Sequence, residues 1–386
     1  MAAGAAPTVV NEVERRYANV RAALEEHGLD ALIVSGSEYT GFEGAVTYLS
    51  GFVIVHRYAY VLLPREGEPA IVFPREARYV GEHGTTWIDE QVFVDTPGEW
   101  LRDRIRQRGW ERVGVYGLDY VMTVRDYRAL KGGGSFGLIP FDLEFDLARA
   151  VKSDAELASV RDSVRINEEG FWIFLDAYEP GKTAAEMLAP CEKHFVEEGC
   201  GRLTMDMVLV GPNGSAEPEF AIARNDRPIA ATDLVLPSLE IAGPGGHWVE
   251  VSRAICAGEP SDDTKRMLEA YEEYVEAARD AMREGATAHD VHRAVSKGFL
   301  DRGYTLGHVT GHSIGMTMIE FPKIGEGVET ELRENMVFSM HPHAISPDGH
   351  KCLYMQDTWL VTREGGEQLA QLPMKIYDGS ERRRGG

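Results

Sequence analysis

Gly181–Gly199 reads GKTAAEMLAPCEKHFVEEG and Gly285–Gly303 reads GATAHDVHRAVSKGFLDRG, two stretches that align without a gap at an offset of 104 residues. Gly181/Gly285, Thr183/Thr287, Ala184/Ala288, Lys193/Lys297, Phe195/Phe299 and Gly199/Gly303 coincide. Each copy begins with a glycine and a threonine able to cap a helix through its side-chain oxygen. Each closes on a glycine suited to the left-handed turn that ends a helix. A long helical stretch precedes each copy: Ser153 to about Tyr178, opened by the capping box Ser153-x-x-Glu156, and Ser261 to Arg283. Strand-like sequence follows each: Met205 to Val210 and Leu234 to Val251 after the first, Met336 to His341 and Tyr354 to Thr362 after the second. Two equivalent helix–helix–strand units predict a pseudo-two-fold domain whose curved sheets face a shared cleft, with a ligand bound where the halves meet.

Working outward, a boundary is expected near Val151, giving domains 1–150 and 151–386. The first domain alternates strand and helix signals and reads as α/β. Val13 to His27 is an amphipathic helix ended by Gly28, and Asp30 to Val34 a buried strand. Arg57 to Pro64 and Glu68 to Pro74 form a hairpin around Arg65-Glu66-Gly67, and Arg112 to Tyr116 is another strand. A chain of 386 residues with 44% hydrophobic and 26% charged residues accommodates two such cores. The net charge of −22 argues against nucleic acid as a partner, because phosphate binding needs clustered cations. Cys191, Cys200, Cys256 and Cys352 form no CxxC pair, which suits a reducing cytoplasm. The N-terminus lacks a signal-peptide pattern, and no stretch approaches the ~20 apolar residues of a membrane span. No membrane partner is expected.

Several motifs in order resemble the creatinase/prolidase (pita-bread) family of Xaa-Pro peptidase-like proteins. Gly311-His312-Ser313-Ile314-Gly315 is similar to the family's GHGIG, and Gly246 to Arg253 (GHWVEVSR) to its GYxSDxTR. Glu334 to Pro342 resembles its GMVFTIEPG strand, and Gln356 to Thr362 its EDTVLVT strand. Gly211-Pro212-Asn213 with Pro218-Glu219-Phe220 resembles GPN…PHY. The resemblance implies a creatinase-type α/β N-terminal domain and an α+β pita-bread catalytic domain.

It also implies a two-metal site held by two Asp, one His and two Glu, from which this sequence departs. The first Asp falls on Leu239, with Glu240 beside it, and the second on Glu250. His312 is kept, and the two Glu fall on His341 and Gln356. Leucine coordinates nothing and Gln is neutral, so the expected shell holds too little negative charge for two divalent ions. Either no cofactor is expected, as creatinase implies, or one divalent metal (Fe, Zn or Mn) on Glu250, His312 and His341, a composition shared by many mononuclear sites.

Candidate catalytic residues are His312, Glu250, His341 and Glu219, with Glu217 competing for the last place. His312, between Gly311 and Gly315, reads as a ligand or proton shuttle. His341 and His343 flank Pro342 and, by strand periodicity, are expected on one face. His247, at the family's tyrosine position, Glu320, Gln356 and Arg224 are candidate substrate contacts, with Arg227 beside Arg224 able to clamp a carboxylate. Ile319 stands where the peptidases carry a second histidine. The resemblance to creatinase further implies a homodimer in which His56 and Arg57 of one chain reach the partner's cleft. The implied activity is hydrolysis of a C–N bond in a small polar, carboxylate-bearing molecule. A mononuclear metalloenzyme and a catalytically silent peptide- or ligand-binding protein are the alternatives.

Overall fold

The computed structural model describes residues 7–38, 42–81, 85–201, 206–211, 222–223, 226–307 and 309–381. The chain separates into two compact units: residues 1–149 with Met316–Met318, and residues 150–315 with 319–386.

The first unit is a six-stranded sheet with helices on both faces. Its strands are β1 (Ala31–Ser37), β2 (Tyr58–Pro64), β3 (Ala70–Pro74), β4 (Glu90–Val94), β5 (Arg112–Tyr116) and β6 (Gly137–Pro140). They lie in the order β4-β3-β2-β1-β5-β6. The helices are α1 (Pro7–Glu26), α2 (Gly44–Ser50), α3 (Arg78–Gly81), α4 (Pro97–Arg108), α5 (Val124–Lys131) and α6 (Asp142–Ala150). Strand periodicity divides the apolar run of β1 between two cores. Leu32 and Val34 pack with Val20 and Leu24 of α1. Ala31 and Ile33 pack with Leu101 and Ile105 of α4 and Leu130 of α5. Burial on both sides explains why β1 reads as a continuous hydrophobic run rather than an alternating one.

The second unit carries α7 (Asp154–Ala177), α8 (Ala184–Glu197), α9 (Asp262–Ala281) and α10 (Ala288–Asp301). The repeat is borne out in detail. α8 and α10 are both 14 residues long, at the offset read from the sequence. Thr183 accepts from the Glu186 backbone and Thr287 from that of Asp290, each cap contributing about 1 kcal/mol. Gly199 and Gly303 close the turns at φ 80° and 81°, a conformation that favours glycine.

The strands of this unit are β7 (Met207–Gly211), β8 (Leu234–Ala242), β9 (Trp248–Ser252), β10 (Ile255–Cys256), β11 (Thr305–Leu306), β12 (Gly311–Ser313), β13 (Glu320–Ile324), β14 (Val337–Met340), β15 (His343–Ile345), β16 (Cys352–Tyr354), β17 (Asp357–Val361), β18 (Gly366–Gln368) and β19 (Tyr377–Asp378). One sheet runs β19-β10-β8-β7 with β9 also on β8. A second runs β13-β12-β14-β17-β18, and a third β11-β15-β16. The first two sheets meet at β9 and β17. There Thr358 Oγ1 accepts from the Glu250 N–H (3.0 Å) and donates to the Glu250 carbonyl (3.1 Å), and Ser252 bridges to Gln356. A core around Trp359, Tyr271, Tyr274 and Phe299 packs against α9 and α10. Asn167 of α7 donates to the Leu239 carbonyl at 2.8 Å, tying the first repeat's helix to β8.

The sequence expectation of one strand carrying both His341 and His343 fails. β14 ends at Met340, and His343 opens β15 in another sheet, opposite Tyr354. Pro342 supplies the reason: lacking an N–H, it cannot continue a ladder.

Candidate functional site

β12 lies so close to β14 that a Cβ on Gly311 would meet the Ser339 carbonyl oxygen at 2.3 Å. Glycine there lets His312 stand directly opposite Ser339, which in turn faces Thr358 of β17. His312 Nδ1 lies 3.0 Å from the Ser313 carbonyl oxygen. A carbonyl only accepts, so Nδ1 carries the hydrogen and the lone pair is at Nε2, 3.5 Å from Glu250 Oε1. Burial pulls His312 down to about 4, so the ring is neutral at physiological pH. His341 follows β14, its backbone N–H donating to the Thr310 carbonyl (2.8 Å) and its ring centroid 5.0 Å from that of His312. Glu250, His312 and His341 are all buried, and one ligand atom of each lies within 4.8 Å of the other two. Among the described residues this is the only such group of His, Cys, Asp or Glu. Its donor chemistry, two imidazoles and a carboxylate, fits one divalent ion.

The hairpin register corrects the reading of the opposite wall. Glu240 pairs with Glu250, and Leu239 with Val251. Ser238 and Glu240 therefore share the face that looks onto Gln356, and Leu239 turns to the other side. A carboxylate, Glu240, thus stands on the face for which the motif alignment had given Leu239. Gln356 Nε2 donates to Glu240 Oε1 and to Glu250 Oε2, each at 2.9 Å, and the Tyr354 hydroxyl lies against the same nitrogen. Gln356 Oε1 accepts from Ser238 (2.8 Å), and Ser238 also reaches Glu240 Oε1 (3.1 Å). Ser339 donates to Glu250 Oε2 at 2.5 Å. Burial, then the charge of Glu250, pushes Glu240 well above the usual carboxylate range. Burial raises Glu250 as well, opposed by the Ser339 hydroxyl. Burial and then the two carboxylates likewise raise the Tyr354 phenol.

The remaining candidates are dispersed. His343, half-buried, packs edge-on to Tyr354 with ring centroids 4.2 Å apart, and lies 5.9 Å from the His341 ring. His247 Nδ1 is 2.9 Å from Ser159 Oγ of α7, with Nε2 3.9 Å from Glu156, which ties the ring to that helix. Glu320 makes a buried ion pair with Lys152 at 3.3 Å. Arg227 pairs with Asp233. His56 and Arg57 belong to the first unit. Arg57 adopts φ 68°, its N–H donating to Glu38 Oε1 (2.6 Å) and its Nε to His56 (3.3 Å). Ile319 is exposed, and Glu217, Glu219 and Arg224 lie outside the described residues. Sequence reasoning missed Ser238, Ser339 and Tyr354. Ser339 was within reach, two residues before His341, and Tyr354 two before Gln356.

Comparison with known proteins follows the same order of domains. The pattern of metallopeptidase family M24 matches residues 158–363, and that of the creatinase/prolidase N-terminal domain matches residues 16–151. A Xaa-Pro dipeptidase of Lactobacillus delbrueckii subsp. lactis is 25% identical over 91% of this chain and 97% of its own. A probable dipeptidase PepE of Mycobacterium tuberculosis is 26% identical over 94% and 95%. Among solved structures, the dipeptidase PepE of Mycobacterium ulcerans superposes with a TM-score of 0.80 at 24% identity, covering 97% of this chain and 99% of that one. The prolidase of Pyrococcus horikoshii does so with 0.76 at 20% identity, covering 95% and 99%. At such identities these structures establish the fold alone.

Proposed function

We propose, for a chain that belongs to metallopeptidase family M24, that it hydrolyses a peptide-type C–N bond in a small, carboxylate-bearing substrate and uses a single divalent ion. The protein is a hydrolase of C–N bonds, the class of its relatives named Xaa-Pro dipeptidase. The observation that carries the single-ion reading is the convergence of Glu250, His312 and His341, all buried, within 4.8 Å. The expectation of no cofactor is not carried forward, because this donor set suits iron, zinc or manganese. Such an ion, when bound, supplies Lewis-acid polarisation of the scissile carbonyl.

The protein's own groups do the rest. Nδ1–H of His312, held by the Ser313 carbonyl, fixes the ring with its lone pair inward. Burial and the charge of Glu250 favour the protonated form of Glu240, and we assign this acid to hand a proton to the leaving nitrogen. His343, half-buried beside Tyr354, is the group we assign to the substrate carboxylate. Four free thiols support a cytoplasmic setting, and among the described residues no helix is long and apolar enough to cross a membrane.

A homodimer completes the proposal. Val53, Val55 and Tyr79 are each about 60% exposed beside the strained His56–Arg57 turn, and cover by a second chain accounts for them. Light scattering at assay concentration is expected to give twice the chain mass.

The deciding experiment joins metal analysis to a panel of Xaa-Pro dipeptides, N-acyl amino acids and guanidino acids. We expect one ion per chain, with activity lost on chelation and restored by the ion. His312→Ala is expected to lower both metal content and turnover by at least a hundredfold. Turnover untouched by that substitution rejects the proposal.

A further inference from the structure

Two acidic side chains directly opposite each other in a buried hairpin repel whenever both are ionised, and the fold must answer that repulsion. Glu240 and Glu250 are such a pair, and the group between them is the carboxamide of Gln356. We propose that this carboxamide occupies the place of a second cation and fixes the centre at one ion per chain. The proposal rests on the single-ion reading above.

The hydrogen bonding supports it at each atom. The two hydrogens of Nε2 serve one oxygen of each carboxylate at 2.9 Å, the bridging task a cation would perform. Oε1 accepts from Ser238 at 2.8 Å, which sets the amide so that its donor end, not its carbonyl, faces the acids. Glu250 Oε2 receives the Ser339 hydroxyl as well as the amide, so both its lone pairs are engaged. Oε1 is the oxygen left to an ion, which favours Glu250 as a one-oxygen ligand to a single ion. The backbone that carries the amide is fixed. The backbone N–H of Gln356 donates to Ser252 Oγ at 2.8 Å, and its backbone carbonyl accepts from Ser252 N–H (3.2 Å) and Arg253 Nη1 (2.8 Å). The side chain is fully buried. A neutral amide also spares the interior a third acid, so less negative charge is available to hold a second ion.

The test counts ions. Wild type and Gln356→Glu are stripped with a chelator, loaded with Mn2+, desalted, and measured by plasma emission and electron paramagnetic resonance. Wild type is expected to retain one Mn2+ per chain with the six-line signal of an isolated ion. Gln356→Glu is expected to retain two per chain, with six-line intensity lost to exchange coupling. One Mn2+ in both, with the variant folded, overturns the inference and leaves the single-ion reading standing. No Mn2+ in the wild type overturns that reading itself, and two in the wild type overturn both. Gln356→Ala, which removes the amide without adding charge, keeps the test available if the glutamate variant does not fold. It is expected to take up a second, weaker Mn2+, and one Mn2+ per folded chain across the titration counts against the inference.

Discussion

At the scale of single residues, the behaviour of His312 follows from where its two nitrogens point. Its ring is buried and held near pKa 4, against about 6.5 in an unfolded chain. Between those values the unfolded chain binds the extra proton, so the stability this residue contributes is present above pH 6.5 and is lost as pH falls towards 4. The neighbouring Glu240 and Glu250 are shifted upward and act with the opposite sign, losing stability as pH rises. Comparing metal-free wild type with His312→Asn isolates the histidine. Urea titrations should show the wild type losing about 3 kcal/mol relative to the variant between pH 7 and pH 4. A difference that stays flat over that range rules out a buried neutral imidazole. His312 was legible because its flanking glycines mark a close strand contact. The role of Glu240 was not, because motif matching assigns a position in the chain, and a one-residue shift reverses which face of a strand that position occupies.

Elements place these residues through contacts that tolerate little added volume. A methyl group on Gly311 would press into the carbonyl of Ser339 on the adjoining strand, a backbone atom that cannot step aside cheaply. Gly311→Ala should therefore cost about 2–4 kcal/mol in denaturant unfolding and sharply weaken Mn2+ retention, since His312 and Ser339 face each other across that contact. A cost below 1 kcal/mol would mean that the strands separate without penalty. The helix caps make a gentler prediction. Thr287→Ala should cost about 1 kcal/mol and leave ion binding unchanged, because it removes one bond to the Asp290 N–H at a distant helix start. Both caps could be read from the sequence, as they depend on local chemistry three residues apart. The break at Pro342 was also written there but outweighed by the alternation around it. Which sheet His343 would join depended on Tyr354, eleven residues away.

For the whole molecule, two compact units, each with its own buried core residues, predict two unfolding events. Calorimetry of the metal-free protein should resolve two transitions, with only the second unit's transition rising on addition of Mn2+, because ligand binding stabilises the unit that holds it. A common shift of both would indicate one cooperative unit. From the chain alone came the alternating α/β first half, the repeated helices at constant offset and the set of chemical groups available to a cleft. Each of these depends on neighbours a few residues apart or on periodicity along one element. The tertiary structure alone decided which groups meet. The cross-strand register put Glu240 opposite Glu250, and the meeting of two sheets brought Gln356 between them. Such contacts span up to 116 residues of chain, and pairing across that distance is set by how whole sheets pack rather than by any local preference.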